Sequence, residues 1–112
     1  MHNKIKITFV VPESLQQEMR KQIIDDEYGL RGKSMWISEA ILRLLSLKDY
    51  TDFVIIGNEM SDFNKTETIA VDKTLKRALD DAILETRKTY PILEGVQSRI
   101  IRTSIVQRLL RS

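Results

Sequence analysis

The feature that most constrains this chain is a repeat. Val11-Pro12-Glu13-Ser14-Leu15 returns as Val71-Asp72-Lys73-Thr74-Leu75, sixty residues later. Each copy has a strand end, a helix-opening pair, and a Ser or Thr before an apolar position. The helices that follow also match, Met19 and Ile23 against Leu79 and Ile83. Further on, Ser34-Met35-Trp36-Ile37 corresponds to Ser98-Arg99-Ile100-Ile101, and Ile41 and Leu45 to Ile105 and Leu109. The spacing is now sixty-four, so the second inter-helix loop is longer by four residues. Internal repetition outranks other sequence signals. Each copy reads strand, helix, turn, helix, and neither is long enough to enclose a core by itself. Residues 1–112 then form one domain of two repeats, 4–47 and 65–112, joined by a linker over 48–64.

The first strand is Lys4–Val11. Ile5, Ile7, Phe9 and Val11 share one parity, and Lys4, Lys6, Thr8 and Val10 share the other. Strict alternation describes a strand with one buried and one free face. The free face is basic, then hydroxyl-bearing, then apolar. Lysine donates to guanine O6 and N7, threonine contacts bases as donor or acceptor, and small apolar groups meet the thymine methyl. The second strand, Lys65–Val71, points Ile69 and Val71 inward and Thr66, Thr68 and Ala70 outward. Glu67 falls on the inward parity, and its charge places it at the ribbon edge rather than in the core.

Pro12 suits a first helical turn, where its missing N–H costs nothing. The first helix is expected over Pro12–Tyr28 with Leu15, Met19, Ile23 and Ile24 as its apolar stripe. Gln16, Gln17, Arg20, Lys21, Asp25 and Asp26 form its solvated face. Gly29–Lys33 is a turn, and Ser34 is the expected N-cap of a helix to Leu47. That helix carries Met35, Trp36, Ile37, Ala40, Ile41, Leu44 and Leu45, too many apolar positions for one narrow stripe, so it packs centrally. Gly32-Lys33-Ser34 matches the end of a P-loop. The first glycine of that motif would fall on Glu27, however, and the turn follows a helix instead of a strand, so nucleotide binding is rejected.

The linker has loop chemistry at Asp49, Asp52, Gly57, Asn58, Glu59, Ser61 and Asp62. Its apolar run Phe53-Val54-Ile55-Ile56 is expected to pack on the core as a short extra strand. The third helix runs from Asp72, its N-cap, to Tyr90, with Leu75, Leu79, Ala82, Ile83 and Thr86 facing the core; Pro91 ends it. Ser98 is the expected cap of the fourth helix. Arg99, Arg102, Arg108 and Arg111 form its exposed basic face, opposite Ile100, Ile101, Ile105, Val106, Leu109 and Leu110.

Composition narrows the function classes. The chain has no cysteine, so disulfides and thiol catalysis are excluded. The lone histidine, His2, lies in a tail and has no partners for a metal. No carboxylate pair has a credible surrounding site. No catalytic residue, metal site or cofactor is therefore expected. No apolar run approaches a membrane span and no signal peptide is expected, so the expected setting is cytoplasmic, with no membrane partner. A net charge of +2 suits DNA only if the charge is concentrated on one face.

Two strand–helix–helix units with these features resemble the ribbon-helix-helix family of bacterial and phage DNA-binding proteins. The likeness rests on Lys6 to Leu15 and Gly32 to Ile41, and again on Thr66 to Leu75 and Ser98 to Ile105. Members of that family are mostly homodimers whose paired strands enter the major groove. The resemblance therefore implies a mainly α fold with a two-stranded antiparallel ribbon, a pseudo-dimer in the order β-α-α-β-α-α. It implies base reading by Lys6, Thr8 and Val10 together with Thr66, Thr68 and Ala70, the two strands facing opposite halves of the site. Phosphate contacts would come from Ser34 and Ser98 at the helix starts, with Lys33 and Arg99, and from Lys4 and Lys65 at the strand starts. Val10 and Ala70 stand where the family usually has polar readers.

The function implied is sequence-specific binding of double-stranded DNA, as a transcriptional repressor. The alternative is a relaxosome accessory protein of plasmid conjugation, bound near a transfer origin with a relaxase as partner. In either role further copies of the chain could occupy adjacent sites. An alternative of another class is a protein-interaction module such as an antitoxin.

Overall fold

The computed structural model describes residues 4–29, 31–56 and 64–111. His2 and the linker residues Gly57, Asn58, Glu59, Ser61 and Asp62 lie outside them. The described residues form a mainly helical fold with one two-stranded antiparallel sheet and five helices. The order is β1 (Ile5–Pro12), α1 (Glu13–Asp25), α2 (Lys33–Leu45), α3 (Tyr50–Ile56), β2 (Asn64–Val71), α4 (Lys73–Thr89) and α5 (Val96–Leu110). This is the expected β-α-α-β-α-α frame with α3 added.

The alternating pattern becomes a two-faced ribbon. Ile7, Phe9, Val11, Ile69 and Val71 are buried beneath it, against Met19 and Ile23 of α1, Trp36, Ile37, Ile41 and Leu44 of α2, and Leu75 and Leu79 of α4. Ile100, Ile101 and Ile105 of α5 complete this core. Thr8 stands opposite Thr68, with Lys6 opposite Ala70 and Val10 opposite Thr66.

The Phe53-Ile56 run is helical, correcting the expectation of a strand. Tyr50 and Val54, one turn apart, are buried, and Phe53 packs against the core. A third strand would need a free ribbon edge, and both edges are engaged by helix side chains. Val10 N–H donates to Ser98 Oγ at 3.1 Å, and Ala70 N–H donates to Ser34 Oγ at 3.0 Å. On the β1 edge, Gln97 Nε2 also donates to the Thr8 carbonyl at 2.9 Å and Arg102 Nη1 to the Val10 carbonyl at 2.8 Å. Covering an edge in this way removes a template for unwanted pairing.

The central helix is α5 more than α2: it packs against all four other helices and β1. Two of its four arginines are therefore not on a solvated face. Arg102 and Arg108 are only 6% and 7% exposed. Arg102 has no hydrogen-bond partner for its Nε among the described residues. Burial, with Arg99 nearby, lowers its basicity. Other departures are smaller. Met35, expected in the core, is 62% exposed, and Ile24 and Leu110 are also exposed. Gln16, expected in solvent, is buried. Asp26, also placed in solvent, is half-buried and accepts the Trp36 indole N–H at 2.9 Å. This bond is the main reason its carboxyl lies below the usual range.

No helix of the described residues is long and apolar enough to cross a membrane.

Candidate nucleic-acid interface

Six of the predicted site residues share the outer face of the ribbon. Lys6, Thr8, Val10, Thr66 and Thr68 are exposed, and Ala70 is half-buried. Lys4 extends this face beyond the start of β1 and is exposed. At the centre the Thr8 and Thr68 hydroxyls lie 3.4 Å apart. Each keeps further capacity, since a hydroxyl has one donor and two acceptor positions.

The antiparallel register revises how these residues divide. The strands do not each serve one half of the face. Lys6 pairs with Ala70 at one end and Val10 with Thr66 at the other, so each half is built from both strands.

The helix starts also differ from expectation. Glycines occupy the N-cap positions: Gly32 before α2, and Gly95, in the left-handed conformation at φ 60°, before α5. Ser34 and Ser98 sit inside the first turns, and neither hydroxyl caps its own helix. They hold the two ribbon edges instead. A serine that accepts from the ribbon can still donate its own proton outward. The first N–H groups of each helix have no intrahelical acceptor, and the helix dipole favours an anion beside them. By contrast Asp72 caps α4 as expected, accepting from Leu75 N–H at 2.8 Å.

The basic side chains at these starts are partly committed elsewhere. Arg99 Nη1 donates to the Val54 carbonyl of α3 at 3.1 Å. Lys33 Nζ lies 3.0 Å from Glu67 Oε2. Glu67 is the largest departure from expectation: it is 4% exposed, buried beneath the ribbon opposite Phe9. Lone burial of a carboxylate would be costly. Here Gln16 Nε2 at 2.7 Å and Arg20 Nη2 at 2.9 Å both donate to Oε1, while Oε2 is met by the charge of Lys33 as an ion pair. Burial pushes the Glu67 carboxyl up, but these three partners outweigh it and hold it below the usual range. Lys65, the remaining predicted phosphate contact, is exposed.

A pH dependence follows. Glu67, Asp26 and Glu39 all titrate below their ordinary values in the fold. Between their folded and unfolded values the unfolded chain binds more protons, so stability rises with pH there. Their contribution is present above about pH 4–5, where unfolded carboxylates are ionised, and is lost as pH falls through the lowered folded values. Urea midpoints from pH 7 down to pH 3 should fall on the acid side, and Glu67→Gln should flatten that fall. An acid limb unchanged by Glu67→Gln would assign it to other groups.

Among the described residues no group of three or more His, Cys, Asp or Glu side chains could hold a metal ion. The face thus offers donors, hydroxyls and methyl groups on a two-stranded antiparallel ribbon, flanked by two helix N-termini. Fold and face together define a small, mainly helical protein built around an antiparallel β-ribbon. No family model matches the chain, and no curated protein or solved structure matches it.

Proposed function

We propose that this chain is a sequence-specific double-stranded DNA-binding protein of the ribbon-helix-helix kind, a covalent pseudo-dimer that reads the major groove with its β-ribbon. One observation carries the reading. An exposed ribbon face bearing Lys6, Thr8, Val10, Thr66 and Thr68 is held at each edge by a serine from the first turn of a helix. A two-stranded ribbon fits the major groove, and these residue types match the base-edge chemistry found there. The serine bonds support the pseudo-dimer. Ser34 to Ala70 and Ser98 to Val10 are counterparts under the spacings of sixty-four and sixty seen in the sequence. They set a helix N-terminus beside each edge, where a backbone phosphate would lie. A protein that occupies the groove in this way acts as a repressor when its site overlaps a promoter. A footprint beside a nick site would assign the relaxosome role instead.

The test is a salt titration on a duplex enriched from a random pool. With about four phosphate contacts, affinity should fall about a hundredfold between about 50 and about 200 mM salt. Lys6→Ala should weaken binding to the enriched duplex by about 1–3 kcal/mol, and more than to random DNA. The far-ultraviolet circular dichroism should be unchanged, since Lys6 faces away from the core. Binding with no salt slope, or no preference for any duplex, would refute the proposal.

A further inference from the structure

We propose that the ribbon reads its site with a fixed chemical polarity: the Lys6–Ala70 end takes a guanine-bearing step, and the Val10–Thr66 end takes a thymine methyl. This inference rests on the DNA-binding reading above and adds which end recognises what.

The polarity comes from the cross-strand register. On the outer face Lys6 stands beside Ala70, Thr8 beside Thr68, and Val10 beside Thr66. Both lysines of the face, Lys4 and Lys6, thus fall at one end. Lys4, Arg31, Ser34 and Ala70 line one open depression there, so Arg31 adds a further cation beside the same end. Asp72 and Glu39 line the same depression and balance Lys4 and Arg31 there, so the cationic character of this end of the outer face rests on Lys6. At the opposite end Val10 and Thr66 pair on the outer face, and Val10 is 37% exposed; Lys65 is exposed there too, but on the other parity of β2, opposite Val11.

Val10 is also tied at the β1 edge through its backbone. Its N–H donates to Ser98 Oγ, and its carbonyl accepts from Arg102 Nη1. With both backbone polar groups engaged, the Val10 isopropyl group stands at a set position on the outer face. In the major groove the partner for such a group is the thymine C5 methyl. The partners for a lysine amine are guanine O6 and N7, since only guanine offers two acceptors on that edge. The central Thr8–Thr68 pair, able to donate or accept, is neutral between the halves.

The experiment uses the full chain and a duplex enriched from a random pool. In one series each guanine in turn becomes 7-deazaguanine, which lacks the N7 acceptor. In the other each thymine becomes uracil, which lacks only the methyl. Wild type should lose about fivefold or more in affinity on 7-deazaguanine substitution in one half, the lower range of a good base contact. It should lose about fourfold on uracil substitution in the opposite half, the worth of one buried carbon. Lys6→Ala should abolish only the first sensitivity, and Val10→Ser, which puts a small polar group in place of the isopropyl, only the second. If both variants map to the same half, or wild type is indifferent to both analogues, the polarity is wrong while DNA binding stands. If no duplex is enriched at all, the DNA-binding reading itself fails and this inference with it.

Discussion

Trp36→Ala is expected to cost about 3–5 kcal/mol of stability, the usual price of deleting a large buried aromatic. Trp36 is fully buried, and it joins three elements. Its indole N–H donates to Asp26 beyond the end of α1, its carbonyl accepts from Arg108 of α5 at 2.8 Å, and its ring lies under the Arg108 guanidinium. Truncation leaves a cavity and removes one partner each from Asp26 and Arg108. A domain of this size has only about 5–15 kcal/mol in hand, so the variant should be largely unfolded at modest denaturant or temperature. Chemical denaturation followed by circular dichroism reads this directly. A variant that stays fully stable but loses DNA binding would instead make Trp36 a base-stacking platform.

Arg108→Ala is expected to cost about 3 kcal/mol, from lost stacking on two aromatic rings and lost charge-assisted hydrogen bonds. The guanidinium carbon lies 4.5 Å from the Trp36 ring centre and 5.2 Å from that of Tyr28. Its Nη2 donates to Tyr28 Oη at 2.9 Å, and its Nη1 reaches Glu39 Oε1 at 3.2 Å. Tyr28 also donates to Glu39, and this bond is the main reason the Glu39 carboxyl lies below its usual range. The cost should lie at the lower end of that of a fully buried broken pair, about 3–5 kcal/mol, because Glu39 and Asp26 keep access to water. Arg108→Met, which keeps an apolar stem between the rings, should recover part of the loss. Equal stability of Arg108→Ala and wild type would show that the stacked cluster contributes nothing.

The ribbon was legible because its signal is local. Period-two alternation alone assigns Ile7, Phe9 and Val11 inward and Lys6, Thr8 and Val10 outward, and both sets lie there. Glu67 was legible only halfway. Parity put it inward, but its burial depends on Gln16, Arg20 and Lys33, partners remote in sequence that only the folded chain brings together. Arg102 and Arg108 depart from the expected solvated face for a related reason. On an amphipathic helix their positions would be solvated, but α5 is surrounded on nearly all sides, so a polar residue there is buried if it finds partners. The serines show a limit of capping rules. Ser34 and Ser98 precede apolar runs, as N-caps do, but glycine takes the cap position in each case and frees the hydroxyl for a ribbon edge. Neither the register that pairs Lys6 with Ala70 nor the helical state of Tyr50–Ile56 could be read locally, because both depend on which edges remain open.

The most direct measurement is the stoichiometry on DNA. Two strands from one chain complete the ribbon, and their outward residues differ, so one chain should recognise one non-palindromic site in a single orientation. Sedimentation of the full chain on the minimal duplex enriched from a random pool should give one chain per duplex, with a consensus lacking two-fold symmetry. Two chains per minimal duplex on a palindromic consensus would contradict it, and would mean that each chain pairs a strand with a partner's.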